Sequence, residues 1–198
     1  MRGSALAGFL PWVIFWIVAG PTNWEQAATT AAIAAIILAI PSLQARGRLK
    51  VFEMATIVCF VVVAVLALVV ERHTLAFVER HAQLIASGVL AVVTLGSLFF
   101  VPFTEQYARE ATPRAAWSLP EFKRANRVLT MVWGVVFSLA ALCGVVAEIR
   151  LPEAEVFRYD IPILLIVGAI GFTLGQAHRQ RAWEANLQAV SRAQRGDR

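Results

Sequence analysis

Charge is scarce in this chain, and what there is avoids the places where membrane chemistry would need it. Only 16% of the 198 residues are Asp, Glu, Lys or Arg. No apolar run carries an Asp, Lys or Arg near its middle, which counts against the intramembrane relay that ion-driven pumps use. Histidine occurs three times, and no pair lies deep in an apolar run to hold haem. A Gly-rich phosphate loop ending in Gly-Lys-Ser/Thr is lacking, as is His-Glu-x-x-His. No Ser, His and Asp set falls at one depth. The two cysteines, Cys59 and Cys143, sit in separate apolar runs without a CxxC, and read as small core residues. From these absences we expect no enzyme activity, no cofactor and no metal.

What the chain has is apolar length. Hydrophobic residues make up 59% of it, and its mean hydropathy is +0.66, too high for the polar surface of a soluble domain this small. The apolar residues fall into six runs, Ala5–Ala19, Trp24–Leu43, Val51–Val70, Leu75–Val101, Val128–Val146 and Ile161–Gln176. A hydrocarbon core about 30 Å thick takes a helix of roughly 20 residues. Lipid cannot satisfy an open strand edge, and the short alternating segments of a β-barrel are absent. The predicted fold class is therefore all-α: a polytopic membrane protein with six transmembrane helices.

Basic residues orient it. Arg2, then Arg46, Arg48 and Lys50, then Arg109, Arg114, Lys123, Arg124 and Arg127, and finally Arg179, Arg181, Arg192, Arg195 and Arg198 fall on one side of an alternating path. Only Arg72, Arg80, Arg150 and Arg158 fall on the other. That bias predicts cytoplasmic amino and carboxyl termini. It also accounts for the net charge of +5 without nucleic-acid binding, because the charges flank the spans. The first run has a basic start and a small-residue end, as a signal peptide does. Pro11 and two Trp residues interrupt it, and retention is the expectation. Residues 1–178 then form the membrane domain, and 179–198 a basic tail that is amphipathic or disordered. Trp183, Leu187 and Val190 give the tail an apolar stripe for an anionic leaflet.

Local signals punctuate the spans. Thr22 with Glu25, and Ser118 with Glu121, fit capping boxes, and Asp160 before Ile161-Pro162 fits an amino cap. Pro41 is expected to kink or end the second helix. Val70-Glu71-Arg72-His73 recurs as Val78-Glu79-Arg80-His81, a mixed-charge interfacial turn rather than a metal site, since each copy carries an opposing Arg. Helix two is rich in Ala, and Gly171 and Gly175 form Gly-x-x-x-Gly. These small residues mark packing, within the bundle or with a second copy.

Pro102–Arg127 is too structured for a plain connector. Phe103, Tyr107, Trp117 and Phe122 alternate with charges. One reading is an amphipathic elbow whose rings, Phe103, Trp117 and Phe122, sit in the headgroup layer with Trp183 of the tail as a further anchor. The other makes Glu105, Tyr107, Arg109 and Glu110, with Glu53 one turn into helix three, the polar lining of a cytoplasmic mouth. Glu53 is expected to reach the interface and pair with Lys50, as an exposed pair of low energetic cost.

Phe122-Lys123-Arg124-Ala125-Asn126-Arg127, followed by Thr130-Met131-Val132-Trp133-Gly134-Val135-Val136-Phe137, and the segment Thr94–Phe103 together resemble the bacterial intracellular septation protein A family of small inner-membrane proteins. The stretch covers about a third of the chain. The family's Lys-Pro-Thr after helix four is missing, and Phe103-Thr104-Glu105-Gln106-Tyr107 stands near its place. The resemblance implies a bacterial inner (plasma) membrane location and an envelope-organising role, with no catalytic residues to carry over. We accordingly expect a non-enzymatic protein of envelope organisation or assembly, acting through lipids of the anionic inner leaflet and through a membrane-protein partner or homo-oligomer. The alternative is a small transporter or channel of two inverted three-helix halves.

Overall fold

The computed structural model describes residues 8–18, 24–69, 72–149 and 156–176. Among them every regular element is helical. Helix α1 spans Leu10–Val18, α2 Trp24–Arg46, α3 Val51–Val69 and α4 Arg72–Ser97. A short α5, Phe103–Ala111, and a 3₁₀ turn, Arg114–Ala116, precede the long α6, Pro120–Ile149. A π turn at Val156–Asp160 leads into an apolar helix, α7, described over Ile161–Gln176. Three helices are long and apolar enough to cross a membrane, over Glu25–Gln44, Val51–Val69 and Pro120–Ile149, and Leu84–Ser97 and Ile161–Gln176 are shorter apolar helices.

The bundle is built from pairs. α1 packs on α2, α2 on α3, and α4 on α6. α2 offers α1 and α3 an alanine face, with Ala27, Ala28, Ala31, Ala32, Ala35 and Ala39 all buried. Small side chains there let backbones approach closely. α6 buries Asn126, Thr130, Trp133, Phe137, Ala140, Gly144 and Ala147 along one helical stripe. At Gly134 an added Cβ would collide with the Leu95 side chain, and at Gly144 it would lie 3.3 Å from Leu84. Between the helices the core fills with rings. Phe9 stacks on Trp133 at 4.7 Å, Phe52 on Phe103 at 5.2 Å, and Trp12 meets Phe60 at 4.7 Å. Their polar ends are satisfied: Trp12 Nε1 donates to Thr56 Oγ1 at 3.1 Å and Trp133 Nε1 to Thr173 Oγ1 at 3.1 Å. The outer faces are apolar too, with Leu68, Val92, Phe99 and Phe100 largely exposed. An apolar inside and an apolar outside together suit a lipid surround.

Several local expectations change. α2 runs through Pro41 to Arg46 and stops at Gly47, whose φ of +65° allows its N–H to return to Leu43 O at 2.8 Å. α4 ends at Ser97 rather than Val101. The Ser97 hydroxyl donates to Thr94 O at 2.7 Å and accepts Phe103 N at 3.1 Å, which turns the chain. Ser118 does not close a capping box; its hydroxyl donates to Ala115 O at 3.4 Å, and Pro120 opens α6. Asp160 lies within the π turn rather than capping α7. Gly171 and Gly175 do not pack within the described chain, since a Cβ at either would meet no atom within 4 Å. Thr22, Trp183 and the tail 179–198 lie outside the described residues, as do Val70 and Glu71; the rest of the Glu-Arg-His duplication, expected as an interfacial turn, runs as the first turns of α4 instead.

Candidate functional site

α5 is the element that assembles the polar groups. It is amphipathic in an unusual way, because its inward face mixes rings with charge. Phe103, Thr104 and Tyr107 are buried, as is Glu105. Positions three and four apart share a helix face, so Phe103 and Tyr107 point together toward α3. This corrects the headgroup reading of Phe103, which is fully buried between Phe52 and Phe9. Trp117 does stay near the surface. Its Nε1 donates to Thr112 O at 3.0 Å, and the guanidinium groups of Arg109 and Arg114 lie 5.2 Å and 5.9 Å from its ring. Phe122 is half-buried at the start of α6.

α5 is docked at two points. The inner one is a knot of hydroxyls. Thr104 Oγ1 donates to Asn126 O at 2.7 Å, so the 2.8 Å contact with Thr130 Oγ1 must be donated by Thr130. Asn126 Nδ2 in turn donates to Phe122 O at 2.8 Å.

The outer dock centres on Lys50, at the end of the α2–α3 turn. Its ammonium donates to Ser42 Oγ at 2.7 Å and Glu53 Oε1 at 2.6 Å, and meets Glu110 Oε1 at 2.9 Å. It also lies 4.4 Å over the Tyr107 ring. Three acceptors use its three N–H groups. The Ser42 hydroxyl donates in turn to Glu53 Oε1 at 2.8 Å, and Lys50 N donates to Glu53 Oε2 at 3.1 Å. Lys50 is only 6% exposed and the Glu53 side chain 10%. The Lys50–Glu53 pair therefore forms, but as a buried pair rather than the exposed, low-cost one expected. Glu105 and Arg109 close a separate pair at 2.6 Å. Gln106 accepts Val51 N at 2.9 Å and donates to Val101 O at 2.9 Å, pinning the start of α3.

Glu53, Tyr107 and Glu110 thus meet on Lys50, with Glu105 and Arg109 one turn away on α5. Sequence reasoning paired Lys50 with Glu53 but missed Ser42 and Gln106 altogether, and no spacing signal marks either. Among the described residues the buried Tyr107 hydroxyl has no hydrogen-bond partner. It abuts Gly8, where any side chain would collide with it and come within 3.2 Å of the Phe52 ring. Burial, reinforced by Glu53 and Glu110, pushes this phenol far above its usual range, so it stays neutral. Among the described residues no three His, Cys, Asp or Glu side chains converge to hold a metal. At the opposite end of the bundle His81 Nε2 approaches Glu148 at 4.0 Å.

Comparison with protein families, curated proteins and solved structures finds no match to this chain.

Proposed function

We propose that this chain is a non-enzymatic inner-membrane protein of envelope organisation or assembly, acting through lipid and partner contacts. One observation carries the reading. The interior beneath the polar end is filled by packed rings, Phe9, Phe52, Phe103, Trp133 and Phe137, and above it Lys50 is engaged by Glu53 and Glu110, and Arg109 by Glu105. A transport path asks for the reverse, polar groups free to meet solute near mid-membrane.

The proposal includes six crossings with both termini in the cytoplasm. Support comes from the meeting of the α2–α3 turn with α5 at one end, and of His81 with Glu148 at the other. That is the order an alternating path requires. The basic residues of the first end then face the cytoplasm. The resemblance to the septation family agrees with this role and with a bacterial inner membrane.

The test pairs flux with stability. In liposomes, the wild-type chain and Glu53→Gln are expected to move no ion or small polar solute beyond the protein-free leak. A flux carried by the wild type and lost in Glu53→Gln, with thermal stability unchanged in detergent, overturns the reading in favour of a transporter.

A further inference from the structure

The wall of the bundle is hollowed where α3 and α4 face the membrane. A groove of about 450 Å³ runs between them, walled by Val51, Met54, Val58, Val92, Gly96 and Phe100. Its size falls within the about 300–1,000 Å³ of ordinary ligand clefts. At one end it meets a second hollow of about 220 Å³, which shares Val51, Phe100 and Val101 and adds Arg48, Lys50 and Arg109. The charged residues lining that hollow are all cations, and the carboxylates that hold Lys50 and Arg109 do not line it.

We propose that this composite cleft binds one anionic phospholipid of the cytoplasmic leaflet, its acyl chain lying between α3 and α4 and its phosphate at Arg48 and Arg109. Depth argues for a lipid over a partner helix. From Val51 to Val58 the groove follows seven helical residues, about 10 Å. One leaflet's share of a hydrocarbon core about 30 Å thick is about 15 Å. The groove therefore starts at headgroup level and stays within one leaflet, as an acyl chain does, whereas a spanning helix would need a wall through both. Charge argues for an anionic head. Lys50 is saturated by its three acceptors. Arg48 is exposed, and Arg109 spends Nε and Nη2 on Glu105, which leaves Nη1 out of that pair. Planar guanidinium groups suit phosphate oxygens. The amino end of α3, with its positive dipole, opens at the same place.

This inference rests on the membrane-organising reading, yet it fails separately, because solute flux decides that reading and lipid retention decides this one. The experiment uses the purified full chain in detergent, titrated with phosphatidylglycerol or phosphatidylcholine and weighed by native mass spectrometry. Wild type should retain one phosphatidylglycerol and markedly less phosphatidylcholine. Arg48→Gln should weaken phosphatidylglycerol retention by about fivefold, the worth of one arginine near an anionic surface, and leave phosphatidylcholine unchanged. Gly96→Leu should lower retention of both lipids. A Cβ at Gly96 meets nothing within 4 Å, so that variant fills the groove and keeps the fold, which circular dichroism checks. Equal retention of the two lipids by wild type, or retention unaffected by Gly96→Leu, overturns the site. So does a dimer that Gly96→Leu dissociates without regard to lipid, since the occupant would then be a second copy.

Discussion

Replacing Lys50 by Met keeps the apolar stem and deletes the ammonium. Three short contacts go with it, to Ser42, Glu53 and Glu110 at 2.7, 2.6 and 2.9 Å, together with the cation over the Tyr107 ring. The attraction lost is only part of the cost. Glu53, with a side chain 10% exposed, is left as a buried carboxylate held only by neutral donors, the Ser42 hydroxyl and the backbone N–H of residue 50, and removing one partner of a buried pair costs about 3–5 kcal/mol. Glu110, whose side chain is 23% exposed, can turn to water, which argues for the lower end of that range. We therefore expect Lys50→Met to lose about 3 kcal/mol, read as the shift in reversible unfolding in mixed dodecylmaltoside and dodecylsulfate micelles. α5 should also loosen, so that trypsin cuts faster after Arg109 and Arg114. The decisive comparison is Lys50→Met combined with Glu53→Gln and Glu110→Gln. With no charge left uncompensated, this variant should recover to within about 1 kcal/mol of wild type. If Lys50→Met alone costs less than about 1 kcal/mol, as exposed pairs do, and the Gln substitutions add to its effect instead of offsetting it, the buried-triad reasoning is refuted.

Gly8→Ala should destabilise by about 1–3 kcal/mol through collision with the Tyr107 hydroxyl and the Phe52 ring; in a Tyr107→Phe background, where the nearest atom is gone, the same change should cost much less in the same unfolding assay. Because the folded chain raises the Tyr107 phenol above its unfolded value, its contribution to stability is whole below about pH 10 and is lost as pH climbs beyond; stability followed through that range should fall less steeply in Tyr107→Phe. Gly134→Ala should force Leu95 aside at a cost of about 1–3 kcal/mol, whereas Gly171→Ala should leave the monomer's unfolding unchanged or raise it by up to about 1 kcal/mol, with a loss of stability there revealing a partner helix. Cysteines placed at Asn23 and Glu153 should react with an impermeant thiol reagent in intact cells and one at Ala115 should not; labelling at Ala115 alone would invert the proposed orientation.

Helix positions were the most legible part, and the reason is periodic chemistry. Lys50 before Val51 and the run to Val69 mark α3 without tertiary information. The elbow at Pro102–Arg127 was legible as a unit, because Phe103 and Tyr107 four apart amid charges can only be amphipathic. Its face was misread. A ring flanked by charges suits the headgroup layer as well as a core, and the difference lies in what covers it: Phe52 and Phe9, one of them about fifty residues earlier in sequence and the other about ninety. Of the polar set Glu53, Glu105, Tyr107, Arg109 and Glu110, read as lining one cytoplasmic mouth, three gather on Lys50 and the other two close a pair of their own. Depth could not say that they would be bound to each other, because that depends on Ser42 and Lys50 being folded back by the turn at Gly47. Glycine spacing was no guide to packing within the described residues: a Cβ at Gly171 or Gly175 would meet no atom within 4 Å there, while the isolated Gly134 admits Leu95.

The two docks of α5 bear on whether it could act as a gate. To swing away, α5 would have to withdraw Phe103 from full burial, which costs about 1.5–3 kcal/mol for the ring alone. It would also part Glu110 from Lys50, and Thr104 from Asn126 and Thr130. Each hydroxyl bond contributes about 0.5–1.5 kcal/mol. The knot is directional, since each hydroxyl has one proton and both are committed, so no rotation of Thr104 alone preserves it. With the part-buried ion pair included, opening would cost several kcal/mol, and about 5.5 kcal/mol of differential binding is needed to carry a two-state element from 1:99 to 99:1. A solute would have to supply that on contact with a cluster whose central ammonium, Lys50, already has three acceptors. An element held so firmly suits a fixed surface better than a moving one. The cleft that α5 helps to form, with Gln106 and Arg109 on its inner rim, then presents lipid with a standing shape, and changes in lipid would alter how the cleft is filled while α5 stays in place.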